Sequence, residues 1–292
     1  MADGANVGKW FCRARLKRTA MLQTRTPDPA LIEALLAAIH RWRGAGPLTV
    51  GISGAQGSGK STLAAALATR LAGEGVSVAT LSLDDLYLGR EARRALAAKV
   101  HPLFVTRGPP GTHDVALGLA VLDALAKGEP VALPRFDKAL DAAIARAEWP
   151  NAPRDCRVLL LEGWCLGARP QSEDALIHPV NALEAKEDAQ GHWRRHANTA
   201  LAGEYQQLWA RIDRLILLAA PGWEVVHGWR EQQEAGLRAR AGADAPGVMN
   251  GGEVARFIQH YERLTQHMLA EMAGRADVVV RLGEGREVLG VV

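Results

Sequence analysis

Gly54-Ala55-Gln56-Gly57-Ser58-Gly59-Lys60-Ser61 decides how this chain is read. The stretch follows a short β-prone run, Leu48 to Ile52, and opens an alanine- and leucine-rich segment that runs from Lys60 to Ala72 and stops at Gly73 and Gly75. A GxxxxGK[ST] pattern set between a strand and a helix is a phosphate cradle. Its glycines let successive backbone N–H groups turn toward one anion, and the helix N-terminus adds partial positive charge. The spacing predicts that Gly54, Ala55, Gln56, Gly57, Ser58, Gly59, Lys60, Ser61 and Thr62 hold a nucleotide. Lys60 is expected to reach the β- and γ-phosphates, and Ser61 to offer its hydroxyl to Mg²⁺.

Outward from the cradle, further buried-looking strands are predicted at Val76–Leu83, Val158–Leu161, Leu215–Leu218 and Val278–Leu282. Helical patterns lie around and between them: Pro27–Arg43, Asn198–Arg211 and Val254–Met272. Strands alternating with helices predict a parallel sheet covered on both faces. Two acids then fall where such sheets collect ligands, at the C-terminal ends of strands. Val158-Leu-Leu-Leu-Glu162-Gly163 places Glu162 as a second Mg²⁺ ligand, with Asp137 and Asp155 as weaker alternatives. Leu83-Asp84-Asp85-Leu86-Tyr87 places Asp84 as the group that would accept a hydroxyl proton and aim the oxygen, and Asp85 as a neighbour that could share the site. The stretches 84–155 and 220–250 fit the alternation badly and read as substrate loops.

Composition bounds what such a site can serve. Of 292 residues 48% are apolar and 23% charged, which excludes a disordered or fibrous chain. A net charge of +3 is too small for a committed nucleic-acid binder but suits an anionic small substrate. Three cysteines, Cys12, Cys156 and Cys165, form no CxxC, so neither a disulfide scaffold nor a cysteine zinc site is expected. No apolar run approaches the roughly 18 residues that span a bilayer. A cytoplasmic protein without a membrane or nucleic-acid partner, monomeric or weakly oligomeric, is the expectation. Residues 1–25 read as a basic, disordered extension without a secretory h-region. The mixed-charge stretch Lys186–Arg195 reads as a solvated helix face.

The cradle, Glu162 and Asp84 together resemble the P-loop small-molecule kinases that include uridine kinase, phosphoribulokinase and bacterial pantothenate kinase. More specific stretches are similar to the P-loop D-glycerate 3-kinases of plants, fungi and bacteria. They are Thr106-Arg-Gly-Pro-Pro-Gly-Thr-His-Asp114, Pro134-Arg-Phe-Asp-Lys138, Glu162-Gly-Trp-Cys-Leu-Gly167, Pro179-Val-Asn-Ala-Leu-Glu184, Trp229-Arg-Glu-Gln-Gln-Glu234 and Met249-Asn-Gly-Gly-Glu-Val254. The likeness covers about Leu48 to Leu282 and departs from the wider group at Leu86, where an aromatic often precedes the tyrosine.

This resemblance implies an α/β, three-layer P-loop NTPase fold. Its sheet would be mostly parallel and five-stranded, with helices on both faces and a helical lid. One kinase domain would span 26–292, with a substrate-binding insertion at about 84–155 and a lid at about 222–250. The implied reaction converts ATP and D-glycerate to ADP and 3-phosphoglycerate with Mg²⁺. Asp84, Lys60 and the lid residue Arg230 would be catalytic, with Arg238 and Arg240 further lid cations. Tyr87, Arg107, Thr112, His113, Arg135 and Lys138 would join Asp84 in binding the acceptor, and Asp114 is a further candidate. Arg107 and Arg135 are favoured for the carboxylate because a guanidinium grips it in a planar fork; a pairing of Arg135 with Asp137 is the alternative. Two other readings stay open: a P-loop kinase of another small alcohol, nucleoside- or pantothenate-like, and a non-catalytic nucleotide-binding regulator. A GTPase would need an NKxD segment, and the sequence has none.

Overall fold

The structure is a computed structural model that describes residues 27–242 and 248–292, without the side chains of residues 240 and 241. The expected basic extension 1–25 and the Arg240 side chain lie outside the described residues. In chain order the elements are α1 (Pro29–Trp42), β1 (Leu48–Gly54), α2 (Lys60–Gly73), β2 (Val78–Ser82), α3 (Arg90–Lys99), α4 (Val115–Ala126), β3 (Phe136–Asp137) and β4 (Ala142–Ala143). They continue with β5 (Val158–Gly163), α5 (Ala182–Glu187), α6 (His192–Ala202), α7 (Glu204–Trp209), β6 (Arg214–Ala219), α8 (Glu224–Ala241), α9 (Gly251–Glu271), β7 (Val278–Leu282) and β8 (Val288–Val291).

The main sheet runs β2-β5-β1-β6-β7-β8, with β1 flanked by β5 and β6. The five predicted strands are all present and mutually parallel. A sixth, β8, pairs antiparallel to β7 at the edge. Its pattern, Val288-Leu-Gly-Val291, is too short and too glycine-interrupted to show as a strand without its partner.

Alternation along the strands divides the core in two. Leu159, Leu161, Leu215, Leu217 and Val279 face one cluster with α4, α7 and part of α9, whereas Val158, Leu160, Ile216, Leu218 and Val280 face another with α1 and α2. Both faces of each parallel strand are therefore buried, which is why these strands read as continuous apolar runs.

The connections differ from the expected loops. Residues 84–155 contain α3, α4 and the small β3–β4 hairpin, and residues 224–241 form one long helix. The predicted helix 198–211 is two helices that break at Gly203, whose ψ of −107° leaves the helical region. The break lets fully buried Tyr205 reach the loop before α4, where its oxygen accepts from Gly111 N at 2.9 Å.

Charge inside the helical layer corrects the solvated-face reading of 186–195. Arg194 and Asp188 are buried and paired at 3.1 Å, and Arg194 also donates to the Leu176 and Ile177 carbonyls. Nearby, Asn181 caps α5 and Glu184 takes Arg263 of α9 in a fork of 2.8 and 2.7 Å. Glu184 is fully buried. Removing one partner of such a pair leaves an uncompensated charge, so Glu184→Ala should lower unfolding stability by about 3–5 kcal/mol. The urea midpoint followed by circular dichroism measures this, and a loss below about 1 kcal/mol, the range of an exposed pair, would refute it.

Candidate active site

The cradle forms as its sequence requires. β1 delivers Gly54 into a turn in which Gly57 (φ 76°) and Gly59 (φ 96°) take left-handed conformations, and α2 starts at Lys60. At Gly57 the need is double, since a Cβ there would lie 2.7 Å from the Trp229 side chain and 2.8 Å from its backbone. Lys60 is buried and donates to Ala55 O at 2.9 Å, folding back over the loop it serves. Burial lowers its pKa, and Glu162 and Asp84 oppose that shift.

A cleft of about 820 Å³ opens in front of the cradle, lined by Lys60, Ser61, Asp84, Lys138, Glu162 and Trp164 among others. That volume suits a nucleotide with a small co-substrate. Ser61 Oγ donates to Glu162 Oε1 at 2.8 Å, so a hydroxyl and a carboxylate oxygen from adjacent elements meet beside Lys60. These are hard oxygen donors of the kind Mg²⁺ takes. Among the described residues no group of three or more His, Cys, Asp or Glu could hold a metal by itself. The pair therefore fits an ion completed by phosphate oxygens rather than a dedicated protein cage.

Asp84 and Asp85 are adjacent in sequence and opposed in structure. A 3₁₀ turn over Leu83–Leu86 is closed by a capping box in which Asp85 returns to Ser82 N at 3.3 Å. Asp85 also accepts from Phe136 N at 3.1 Å and faces Arg135 at 3.4 Å, away from the cleft. Asp84 points into the cleft, where Lys138 pairs with one carboxylate oxygen and the Tyr87 hydroxyl donates to the other at 2.6 Å. Burial raises its pKa, but Lys138, Tyr87 and Lys60 outweigh that and hold the carboxyl well below the usual range. Lys138, raised by the same pairing against its own burial, stays an ammonium.

The loop 106–114 is a scaffold braced by its neighbours, with the Arg107 side chain turned to Asp141. Gly108 (φ 114°) lies so close to the Tyr261 ring that no side chain could replace its hydrogen. Trp164 Nε1 donates to Gly108 O at 3.1 Å, Tyr261 OH to Arg107 O at 2.9 Å, and Asp114 caps α4. Arg107 projects from this frame with its charge felt by Tyr87 and Lys138, and donates to Asp141 at 2.7 Å.

Five expected substrate or lid contacts are placed elsewhere. Thr112 is fully buried; it donates to Pro109 O and accepts from Gly108 N, which ties the loop to itself. His113 sits 2.6 Å from the Tyr205 hydroxyl, and burial pushes its pKa down to about 4, so it is no cation for a carboxylate at neutral pH. Arg135 donates to Pro134 O and Thr80 O and faces Asp85, not Asp137, anchoring the hairpin to β2. Asp137 instead accepts from Ala139 N and Leu140 N. Arg230 pairs with Glu234 at 2.6 Å over the Phe257 ring, in the α8–α9 contact. On α8 it is Trp229, Gln232 and Gln233 that border the cleft. Arg238 donates to Met249 O, bracing the segment before α9.

The sequence reading also missed residues. Arg286, at a positive φ of 64° in the β7–β8 turn, donates to Gly57 O at 2.6 Å and to Gln232 at 2.8 Å, joining the cradle to α8. Trp164 lies within the quoted stretch 162–167, yet its indole signalled only core packing. Asp141, in an alanine-rich run, carried no signal at all.

No family model matches the chain. It is 37% identical over 227 residues to "Uncharacterized kinase mug58" of Schizosaccharomyces pombe, covering 74% of this chain and 78% of that one. It is 31% identical over 225 residues to "D-glycerate 3-kinase, chloroplastic" of Arabidopsis thaliana, covering 74% of this chain but only 46% of the plant protein. The solved structure of D-glycerate 3-kinase from Cryptococcus neoformans var. grubii superimposes with a TM-score of 0.74 at 25% identity, over 91% of this chain and 99% of that one. With a phosphate cradle facing a carboxylate–lysine pair across one cleft, the chain belongs to the P-loop kinase family that contains the D-glycerate 3-kinases.

Proposed function

We propose that the protein transfers the γ-phosphoryl group of ATP to the 3-hydroxyl of D-glycerate, giving 3-phosphoglycerate and ADP. The observation that carries this reading is the meeting of Asp84, Lys138 and Lys60 on one cleft, with the Arg107 charge acting on Lys138. The relatives named D-glycerate 3-kinase support the choice of acceptor.

Each residue has work that its geometry suits. The loop amides and Lys60 cradle the phosphates. Ser61 and Glu162 would hold Mg²⁺, which when bound neutralises charge on the β- and γ-phosphate oxygens. Asp84, ionised and held by Tyr87 and Lys138, orients the acceptor hydroxyl and takes its proton. Arg107, with Lys138, binds the acceptor carboxylate in this reading. The cleft border on α8, with Trp229, Gln232 and Gln233, serves as the lid, which excludes water from the reacting phosphate.

The test is turnover of MgATP with D-glycerate, L-glycerate, uridine and pantothenate, with the product identified by NMR. D-glycerate is expected to be the preferred acceptor and 3-phosphoglycerate its product. Turnover confined to an uncharged alcohol would overturn the acceptor assignment.

A further inference from the structure

We propose that Asp141, on the β3–β4 hairpin, is a positioning residue that holds Arg107 for an anionic acceptor, with Arg93 as its buried anchor. The inference rests on the acceptor reading above and extends it to residues outside the cleft.

Three arginines from two elements converge on this one carboxylate. Arg90 Nε reaches Oδ2 at 2.9 Å and Arg93 Nη2 reaches the same oxygen at 2.5 Å, both from α3. Arg107 Nη1 takes Oδ1 alone, at 2.7 Å. The oxygens are thus divided, one for the anchor and one for Arg107. Arg93 is only 3% exposed and spends its other donors on Val105 O and Leu88 O. Displacing Asp141 would strand that buried guanidinium, so the carboxylate is a fixed counter-charge rather than a plug that substrate expels.

Asp141 itself stands at φ 52°, a left-handed conformation costly for a side chain with a Cβ and tolerated mostly by Asn and Asp. Asp137 and Ala142, bracketing the turn, pair in the hairpin, and Phe136 pairs with Ala143. The same turn carries Lys138, so one hairpin sets the partner of Asp84 and the partner of Arg107 together. With Nη1 of Arg107 fixed on Asp141, the remaining donors of the guanidinium have a defined direction, which a bidentate grip on a carboxylate needs. Two of the three arginine charges remain uncompensated within the cluster, favouring an anionic acceptor over a neutral one of the same shape.

The test compares D-glycerate with its neutral isostere D-glyceramide in the full-length wild type, Asp141→Ala and Asp141→Asn. Melting temperatures confirm that each variant is folded. Asp141→Ala is expected to raise KM for D-glycerate by about tenfold or more, the loss of a charged hydrogen bond's worth of orientation. KM for MgATP, KM for D-glyceramide and kcat at saturating D-glycerate should each stay within about twofold, a split that general loosening of the fold would not produce. If the alanine variant does not fold, Asp141→Asn carries the test; it keeps the turn and loses the charge, and a rise of about threefold confined to the anionic acceptor is expected. Equal losses for both acceptors or for MgATP, or a lower KM for D-glycerate, would overturn the proposal. Should the wild type ignore D-glycerate but use another anionic alcohol, the acceptor identity fails while the same comparison decides Asp141 on that alcohol. Wild-type activity confined to neutral alcohols overturns both.

Discussion

Asp84→Asn is expected to lower kcat with D-glycerate by about 10²–10⁴-fold while leaving the apparent affinity for MgATP within a few-fold. The substitution is isosteric, and the Tyr87 hydroxyl can still donate to the side-chain oxygen as it does now at 2.6 Å. What disappears is the negative charge that pairs with Lys138 and the ability to accept a proton. Because the carboxyl is held well below the ordinary range against the cost of its burial, it is ionised throughout neutral and mildly acidic solution. The direction gives two further readings. The wild-type kcat should show no acid limb from this group between about pH 5 and 8, since the charged form persists below the unperturbed value of about 3.9. Its contribution to folding stability is likewise present above that unfolded value and is lost only as pH falls through the depressed folded one. Steady-state kinetics from pH 5 to 8 on both proteins checks the kinetic expectations, and acid unfolding below about pH 4 followed by circular dichroism checks the stability one. Retention of more than a third of kcat in the variant, or a wild-type limb near pH 6 that vanishes in the variant, would remove Asp84 from its role. Asp85→Asn is the contrasting control, because Asp85 serves Ser82 N and Phe136 N on the far side of the turn.

That contrast marks where the sequence stops being informative. The cradle is legible because everything that makes it is local: strand, glycines, lysine and helix follow within one turn of chain. Glu162 is legible for a related reason, since a run of four apolar residues ending in a carboxylate reports a buried strand and its ligand-bearing end together. Asp84 and Asp85 are chemically identical neighbours, and only the capping box of the 3₁₀ turn decides which faces the cleft. The loop 106–114 shows the same limit at larger scale. Its polar residues read as ligands, but Thr112, His113 and Asp114 satisfy backbone and hydroxyl groups, and Arg107 turns to Asp141. A loop threaded past Tyr261 and Trp164 has to find internal partners for its own polar groups, and this need is invisible until the packing partner is known. Arg230 failed as an outward lid cation for the same reason: Glu234, one helical turn away, neutralises it inside the α8–α9 contact. Asp141 went unread because its meaning comes wholly from Arg90, Arg93 and Arg107, which lie 34 to 51 positions earlier.

Lys60→Met should produce the second large loss, about 10²–10³-fold in kcat, together with weaker MgATP binding. The ammonium rests on Ala55 O at 2.9 Å, a carbonyl of the cradle it completes, and it is among the buried charged groups. Burial lowers its pKa, and Glu162 and Asp84 oppose that shift where the phosphates arrive. Methionine fills a similar length without the charge, so the loop keeps its shape and the loss reports electrostatics rather than collapse. Arginine should not rescue it. A planar guanidinium is bulkier and presents its donors in a fixed fork, whereas Lys60 sets a single compact ammonium on Ala55 O. The discriminating measurement is the pair of kcat and nucleotide affinity by calorimetry in Lys60→Met and Lys60→Arg, beside Asp84→Asn. Lys60 variants should lose both quantities and Asp84→Asn only the first, because the lysine acts on the phosphates in ground and transition states while the carboxylate acts on the acceptor oxygen alone. Lys60 variants with unchanged nucleotide affinity and near-normal kcat would mean that the loop amides suffice and that the lysine is held for folding. A fall in nucleotide affinity in Asp84→Asn as large as in Lys60→Met would mean that the aspartate belongs to the phosphate site, and the division of the cleft between donor and acceptor would have to be redrawn.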